Sequence, residues 1–328
     1  MLELRKSIRM NRRSSLRAIA AGALAAGGIA AAPRKAQIAI TFDLEMSRNF
    51  PKWEDTKWDY EKGKLDAATK EYTVGAARRI KEAGGVLHGF VVGQVLEQEN
   101  VEWLKKLVAD GHPMDNHSYD HVRVTAKLLE EVQFRFRRAP WLISGKDPKE
   151  VIQENIELCS AAMSKRLGVK PTGFRTPGGF RYGLSERPDL QDMFKQLGFK
   201  WISSKYARHL NGPKPDTKIY ESIVAAQRES QPFRYSNGLL EIPMSPISDI
   251  GAFRNGRWKL EWFLEAVHLS IEWAVANRAV FDFLAHPSCL GVVDPEFKTI
   301  DLICKMVRDA GNKAELTDLH RIAAATPQ

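Results

Sequence analysis

Only three cysteines occur in 328 residues, Cys159, Cys289 and Cys304, and no two of them form a CxxC pair. A thiolate zinc site and a disulfide framework are therefore not indicated, and the cysteines read as small buried apolar residues. Long apolar runs are missing too. The uncharged stretch Ala18–Ala32 has 15 residues, short of the roughly 20 that a helix needs to span a bilayer core. Blocks of like charge are also absent beyond residue 32. The chain carries 49 basic and 40 acidic residues, a net charge of +9, but residues 1–32 hold six of the former and one of the latter. The remainder has only four more basic than acidic residues, with the two signs interspersed. That removes the main support for a nucleic-acid-binding role.

What residues 1–32 do contain is a pair of arginines, Arg12-Arg13, followed by the Ala-, Gly-, Ile- and Leu-rich stretch and a cluster of small residues at Ala30–Ala32. This is the pattern of a cleavable export signal, and the arginine pair resembles a twin-arginine signal. The expectation is an exported protein, periplasmic or extracellular, whose contact with the membrane is confined to export. Its domain would run from residue 33 to residue 328.

From Gln37 onward, strand-like and helix-like stretches alternate. Strands are expected at Gln37–Asp43, Val86–Val92, Pro113–Asn116, Gly173–Arg175, Trp201–Ser203, Leu239–Ile242 and Val280–Ala285. Helices are expected at Ala67–Ala83, Asn100–Asp110, Ala126–Phe136, Lys149–Leu167, Asp189–Leu197, Lys259–Asn277, Glu296–Ala310 and Leu316–Ala324. Such alternation argues for βα units, and seven strands for a single-domain α/β fold, a distorted (β/α) barrel with about seven parallel strands. Two stretches break the rhythm and read as long loops: Met46–Lys64, with Trp53, Trp58 and Tyr60, and Arg208–Gly238, rich in Pro, Gly, Ser and Asn. Long loops in compact domains tend to carry function. Trp58 and its neighbours suit either stacking on a sugar face or plain loop packing.

Polar groups gather at strand ends. The first strand closes with Thr41-Phe42-Asp43-Leu44-Glu45. Alternation puts Thr41, Asp43 and Glu45 on one face, pointing inward, with Ile38, Ile40, Phe42 and Leu44 on the other. In parallel barrels the C-terminal strand ends carry the chemistry. The third strand is followed by His117-Ser118-Tyr119-Asp120-His121; imidazoles four apart reach one metal if the segment turns helical. The fourth strand leads into Arg175-Thr176-Pro177-Gly178-Gly179-Phe180. There an arginine can orient a carboxylate, and backbone N–H groups at Gly178 can face an oxyanion. The seventh ends at Leu284-Ala285-His286. Taken one at a time, each of these also fits a solvated or structural side chain.

Taken in order, Thr41-Phe42-Asp43, His117-Ser118-x-x-His121, Arg175-x-Pro177-x-Gly179 and Leu284-x-His286 resemble the polysaccharide deacetylase family, which includes chitin, chitooligosaccharide and peptidoglycan deacetylases and some acetyl xylan esterases. The resemblance implies a barrel of fewer than eight strands and one divalent metal ion, usually zinc. By position it makes His117 and His121 metal ligands, Asp43 the general base, Arg175 its holder and His286 the general acid, with Ser118 hydrogen-bonded behind them. The family's first motif commonly has two adjacent aspartates; Leu44 stands at the second, and Glu45, on the same strand face as Asp43, is the candidate replacement ligand. Gly178 occupies a position usually aromatic, so that substrate wall is missing or supplied by Phe180. The usual Asp and Trp motif of the fifth strand is not evident, leaving Asp249 and Asp294 as candidate partners of His286. The implied activity is removal of an acetyl group from an N-acetylated glycan or oligosaccharide. An amidohydrolase or esterase acting on a small or O-acetylated substrate, and a non-catalytic glycan-binding relative, are the alternatives.

Overall fold

The first strand, β1 (Ala36–Leu44), is buried along all nine residues and organises the sheet around it. One edge pairs in parallel with β8 (Val280–Ala285). The other is shared: its first half pairs with β9 (Ala314–Thr317) and its second with β2 (Leu87–Val91). This is a computed structural model, and it describes residues 34–47 and 62–327. The expected export segment and the aromatic residues Trp53, Trp58 and Tyr60 lie outside the described residues.

From β2 the sheet continues through β3 (Met114–Asn116), β4 (Gly173–Phe180), β5 (Trp201–Lys205) and β7 (Leu240–Glu241), every pairing parallel. The short β6 (Phe233–Arg234) adds an antiparallel edge to β7. The sheet curls, and no strand pairing joins β7 to β8 among the described residues. Individual hydrogen bonds bridge that seam instead. Ser245 donates its N–H to Asp282 O at 2.8 Å and accepts from Leu284 N. Gln231 accepts from Val280 N, and Gln227 donates to Val280 O, both at 2.9 Å. The result is the expected distorted barrel in a single domain, with all seven expected strands present.

Alternation on β1 works as its sequence implies. Phe42 faces outward and stacks on Tyr72 of the helix Ala67–Glu82. Ala39 faces inward, into a cluster with Phe90, Trp201, Leu240, Leu319 and Ile322 that fills the lower barrel. Thr41 and Asp43, one and two steps further along that face, are thereby lifted to the C-terminal rim. The interior is a packed core below and a polar site above.

Three expectations need correction. The stretch Arg208–Gly238 is not helix-free: Thr217–Glu229 forms a helix capped by Asp216, whose side chain accepts from Ile219 N. Its buried residues Ile219, Tyr220, Ile223, Ala226 and Gln227 follow the helical repeat, a signal obscured by the flanking prolines. The expected helix Ala126–Phe136 is split into Leu129–Val132 and Phe134–Arg138. Gln133 interrupts it in extended conformation, φ −164°, held by its own bond to Asp120 O. Finally, residues from Ala314 form β9 before the last helix starts at Leu319.

That last helix is fastened beneath the barrel by three polar residues. Asp115 on β3 accepts from Thr172 N and Gly173 N on one oxygen, and contacts His88 and His320 on the other. Leu319 N donates to His88 Nδ1, so the His88 proton sits on Nε2, toward Asp115. Every lone pair of the carboxylate has a donor, which makes this a hydrogen-bonded clasp rather than a vacant ligand set. Burial disfavours the charged His320 ring, but its bond to Asp115 and the Asp115 and Asp318 charges outweigh burial and raise its pKa. A raised histidine pKa stabilises the fold fully below the unfolded value near 6.5, and that contribution fades as pH rises through the folded value. Thermal unfolding should therefore show wild type ahead of His320→Gln by a margin that shrinks from about pH 6 to about pH 8; a margin independent of pH would contradict the clasp.

Candidate active site

The groups at the rim come from four strand ends. Beyond β1 the chain turns at once, with Glu45 N donating to Asp43 O and Met46 N to Lys62 O. The turn brings the Glu45 carboxylate over the barrel mouth beside Asp43. Ser288 fixes the same turn by donating to Glu45 O and accepting from Ser47 N.

The segment following β3 is not the helix that would have brought two histidines onto one face. It is a tight turn in which Ser118 and His121 both adopt left-handed backbone, φ 60° and 58°. Non-glycine residues pay a steric cost there and persist only where the surroundings hold them. Asn116 Oδ1 accepts from Ser118 N, Ser118 Oγ accepts from Val122 N, and Asn155 Oδ1 accepts from Tyr119 N and Asp120 N. The outcome matches the purpose expected of a helix: the His117 and His121 rings lie 5.1 Å apart, centre to centre. Ser118 braces this turn through those two bonds.

His117 Nδ1 faces the carbonyl of Arg175 at 2.9 Å, which accepts only, so the proton is on Nδ1 and the Nε2 lone pair is free. That Nε2 lies 3.7 Å from Glu45 Oε2 and 3.6 Å from Asp43 Oδ2. His121 Nε2 lies 2.7 Å from Glu45 Oε2. Burial lowers the pKa of both rings, that of His121 to about 4, so both are neutral. Burial alone would raise the Glu45 pKa, but its interaction with the His121 ring and the charge of Lys62 hold it well below the usual carboxylate range.

Arg175 lies directly behind this group, fully buried, its guanidinium over the Phe90 ring at 4.1 Å. It donates to Asp43 Oδ1 at 3.2 Å, to Thr41 Oγ1 at 2.7 Å, to Ser203 Oγ, and to Asp282 Oδ2. Thr41 Oγ1 in turn reaches Asp282 Oδ1 at 2.8 Å. Burial pushes the Asp282 carboxyl up to about 6 despite Arg175. On the far wall, His286 Nε2 points at Asp43 Oδ2 and Glu45 Oε1, 3.8 and 3.6 Å away. Its Nδ1 is 2.9 Å from Asp249 Oδ1, whose other oxygen accepts from His286 N. Burial opposes the charged ring, but Asp249, then Glu45 and Asp43, raise its pKa above the ordinary value. Asp249 is thus the partner of His286, while Asp294 accepts from Lys298 N and Thr299 N and caps a helix.

These groups open into a cleft of about 650 Å³, walled by Phe134, Arg137, Phe180, Tyr206, Met244 and Arg254. Gly178 lines it in left-handed conformation, φ 78°, with Thr176 Oγ1 bonded to its carbonyl. Phe180 lines the same cleft, where an aromatic at residue 178 is lacking. Sequence reasoning missed Asp282 and Lys62. Alternation from His286 back through Leu284 reaches Asp282, so that signal was available. Lys62 stands in a charged loop with nothing local to mark it.

The chemistry of the donor set suits a divalent ion. One ligand atom each from Glu45, His117 and His121 lies within 4.8 Å of the others. Among the described residues, His117 Nε2 is buried without a hydrogen-bond partner, a costly state that an ion at that point would relieve.

The family model for polysaccharide deacetylases matches residues 30–201. The chain belongs to the polysaccharide deacetylase family. The matched span carries Asp43, Glu45, His117, His121 and Arg175; His286 and its partner Asp249 lie beyond it. No curated protein is matched by the sequence. Among solved structures, one from Mycobacterium smegmatis described as a polysaccharide deacetylase is 14% identical, with 91% of this chain and 93% of that chain covered and a TM-score of 0.61. Another so described, from Pseudomonas aeruginosa PAO1, is 13% identical over 88% and 89% with a TM-score of 0.57. The Puue allantoinase is 14% identical over 90% and 93% with a TM-score of 0.56. At these identities the likeness is one of fold.

Two measurements check the electrostatics of this deacetylase-family site. Arg175→Met leaves Asp43 and Asp282 buried without their cation, so chemical denaturation should show a loss of about 3–5 kcal/mol. Asp249→Asn removes the charge that raises the His286 pKa, so the alkaline limb of any pH–rate profile should move to lower pH; an unmoved limb would remove His286 as the titrating acid.

Proposed function

We propose that the protein is a metal-dependent hydrolase that removes an acetyl group from an N-acetylated sugar of a glycan or oligosaccharide. The observation that carries this reading is the convergence of Glu45, His117 and His121, with the buried His117 Nε2 lacking a hydrogen-bond partner, beside Asp43 and His286. Glu45, His117 and His121 would hold the ion; imidazole and carboxylate donors suit zinc. When bound, such an ion polarises an acyl oxygen and makes water at the site more acidic.

The remaining work falls to side chains. Asp43, with one oxygen held by Arg175, keeps the other turned to the cleft and accepts the proton of the attacking water. Gly178 and Gly179 line the cleft, and their backbone N–H groups would serve a developing oxyanion. His286, whose charged form Asp249 favours, delivers its proton to the departing amine nitrogen. Asp43 Oδ2 and His286 Nε2 are 3.8 Å apart, close enough to serve opposite sides of one scissile bond. Family membership supports an acetylated glycan as substrate, and Arg12-Arg13 with the uncharged stretch after it supports export to the periplasm or beyond.

Metal analysis coupled to an acetate-release screen over chitin oligomers, peptidoglycan fragments and acetylated xylan tests the reading. Chelation should abolish release and added Zn²⁺ should restore it; turnover unchanged after verified metal removal would overturn the scheme. The two acids should separate cleanly. Asp43→Asn should retain metal and lose about 10²–10⁴-fold in rate, whereas Glu45→Ala should lose the metal itself. Release from O-acetyl but not N-acetyl substrates would move the protein to the esterases.

A further inference from the structure

Lys62 takes no part in the scheme above, yet it is built into the site. Its side chain is 1% exposed, and lysines are almost never buried so fully unless paired. Its Nζ contacts Glu45 Oε1 and lies 3.3 Å from Ser47 Oγ. The backbone around it is pinned. Lys62 O accepts from Met46 N at 2.9 Å, and Gln98 donates to Gly63 O at 3.0 Å. A Cβ at Gly63 would fall 2.3 Å from Gln94 Cβ, so only glycine lets this segment approach so closely.

The two oxygens of Glu45 therefore have separate neighbourhoods. Oε1 faces Lys62 and Ser47, with His286 Nε2 at 3.6 Å. Oε2 faces His121 at 2.7 Å and His117 at 3.7 Å. A carboxylate divided in this way can offer an ion only one oxygen. The ammonium on the other oxygen also repels any dication that the first one holds, since charges in a buried site are poorly screened.

Resting on the metal-dependent reading, we propose that Lys62 sets the ion affinity of the site: it confines Glu45 to one ligand oxygen and weakens divalent binding by its own positive charge. The same contact matches the Glu45 charge when no ion is bound, so the ligand set is formed in advance instead of being assembled by the metal. With two imidazoles and a single carboxylate oxygen as donors, the site favours zinc, cobalt or nickel over magnesium or calcium.

The test is a Zn²⁺ titration of the chelator-stripped full chain in competition with a chromophoric chelator. Wild type is compared with Lys62→Met, Lys62→Gln and Ser47→Ala, the fold of each checked by thermal unfolding. Lys62→Met should bind Zn²⁺ about tenfold or more tightly than wild type, as loss of a nearby like charge requires. Lys62→Gln, which retains a hydrogen-bond donor, should shift affinity in the same direction and decides the matter if Lys62→Met does not fold. Ser47→Ala, which removes a contact to Oε1 without changing charge, should stay within about twofold. Zn²⁺ bound by wild type and bound no more tightly by the Lys62 variants would overturn the role of Lys62 alone. No binding by any of the proteins would overturn the metal reading, and this proposal with it.

Discussion

Four carboxylates, Asp43, Glu45, Asp249 and Asp282, are buried at one end of a parallel sheet, and each needs a cation or a set of donors to be tolerated there. Arg175 answers for two of them, Lys62 and His121 for Glu45, and His286 for Asp249. Arg175 is the centre of this arrangement. From β4 it reaches across the barrel to β1 and β8, while its backbone carbonyl fixes the His117 tautomer. One residue thus supports the candidate base through its side chain and a candidate ligand through its main chain. The core beneath it, where Phe90 lies under the guanidinium, leaves that side chain little other room.

Two features of the fold place these charges. Parallel pairing aims every long strand's C-terminal end at the same mouth, so inward-facing residues at the ends of β1, β4 and β8 meet without long connections. The incomplete closure between β7 and β8 does the rest. Ser245 and its neighbours, filling that seam, lead directly to Asp249, which stands beside His286. A regular eight-stranded barrel would have a strand there in place of the loop that carries Asp249.

Much of this was legible from the sequence, and the exceptions have physical causes. The strands were readable because apolar runs between helical stretches are strong signals; the pairing of Asp43 with Glu45 was anticipated from alternation, although Glu45 lies just past β1 and a turn brings it there. The proximity of His117 and His121 was anticipated, but through a helix that does not form. The turn is set by side-chain bonds from Asn116, Ser118 and Asn155, the last of which is distant in sequence. Asp282 was within reach of the same alternation that found His286. Lys62 was not, because its burial depends on the close approach of Gly63 to Gln94, a tertiary contact that no local pattern encodes. The helix Thr217–Glu229 was hidden by prolines on either side although its own repeat is regular.

The claim at the centre of this account is that Glu45, His117 and His121 grip one ion. Crystals of the chain soaked in Co²⁺ and measured at the cobalt absorption edge would test it most directly. The account predicts one strong anomalous peak about 2.0–2.2 Å from His117 Nε2, His121 Nε2 and Glu45 Oε2. A map with no peak there, or with cobalt only at the His88–Asp115–His320 clasp, would contradict it.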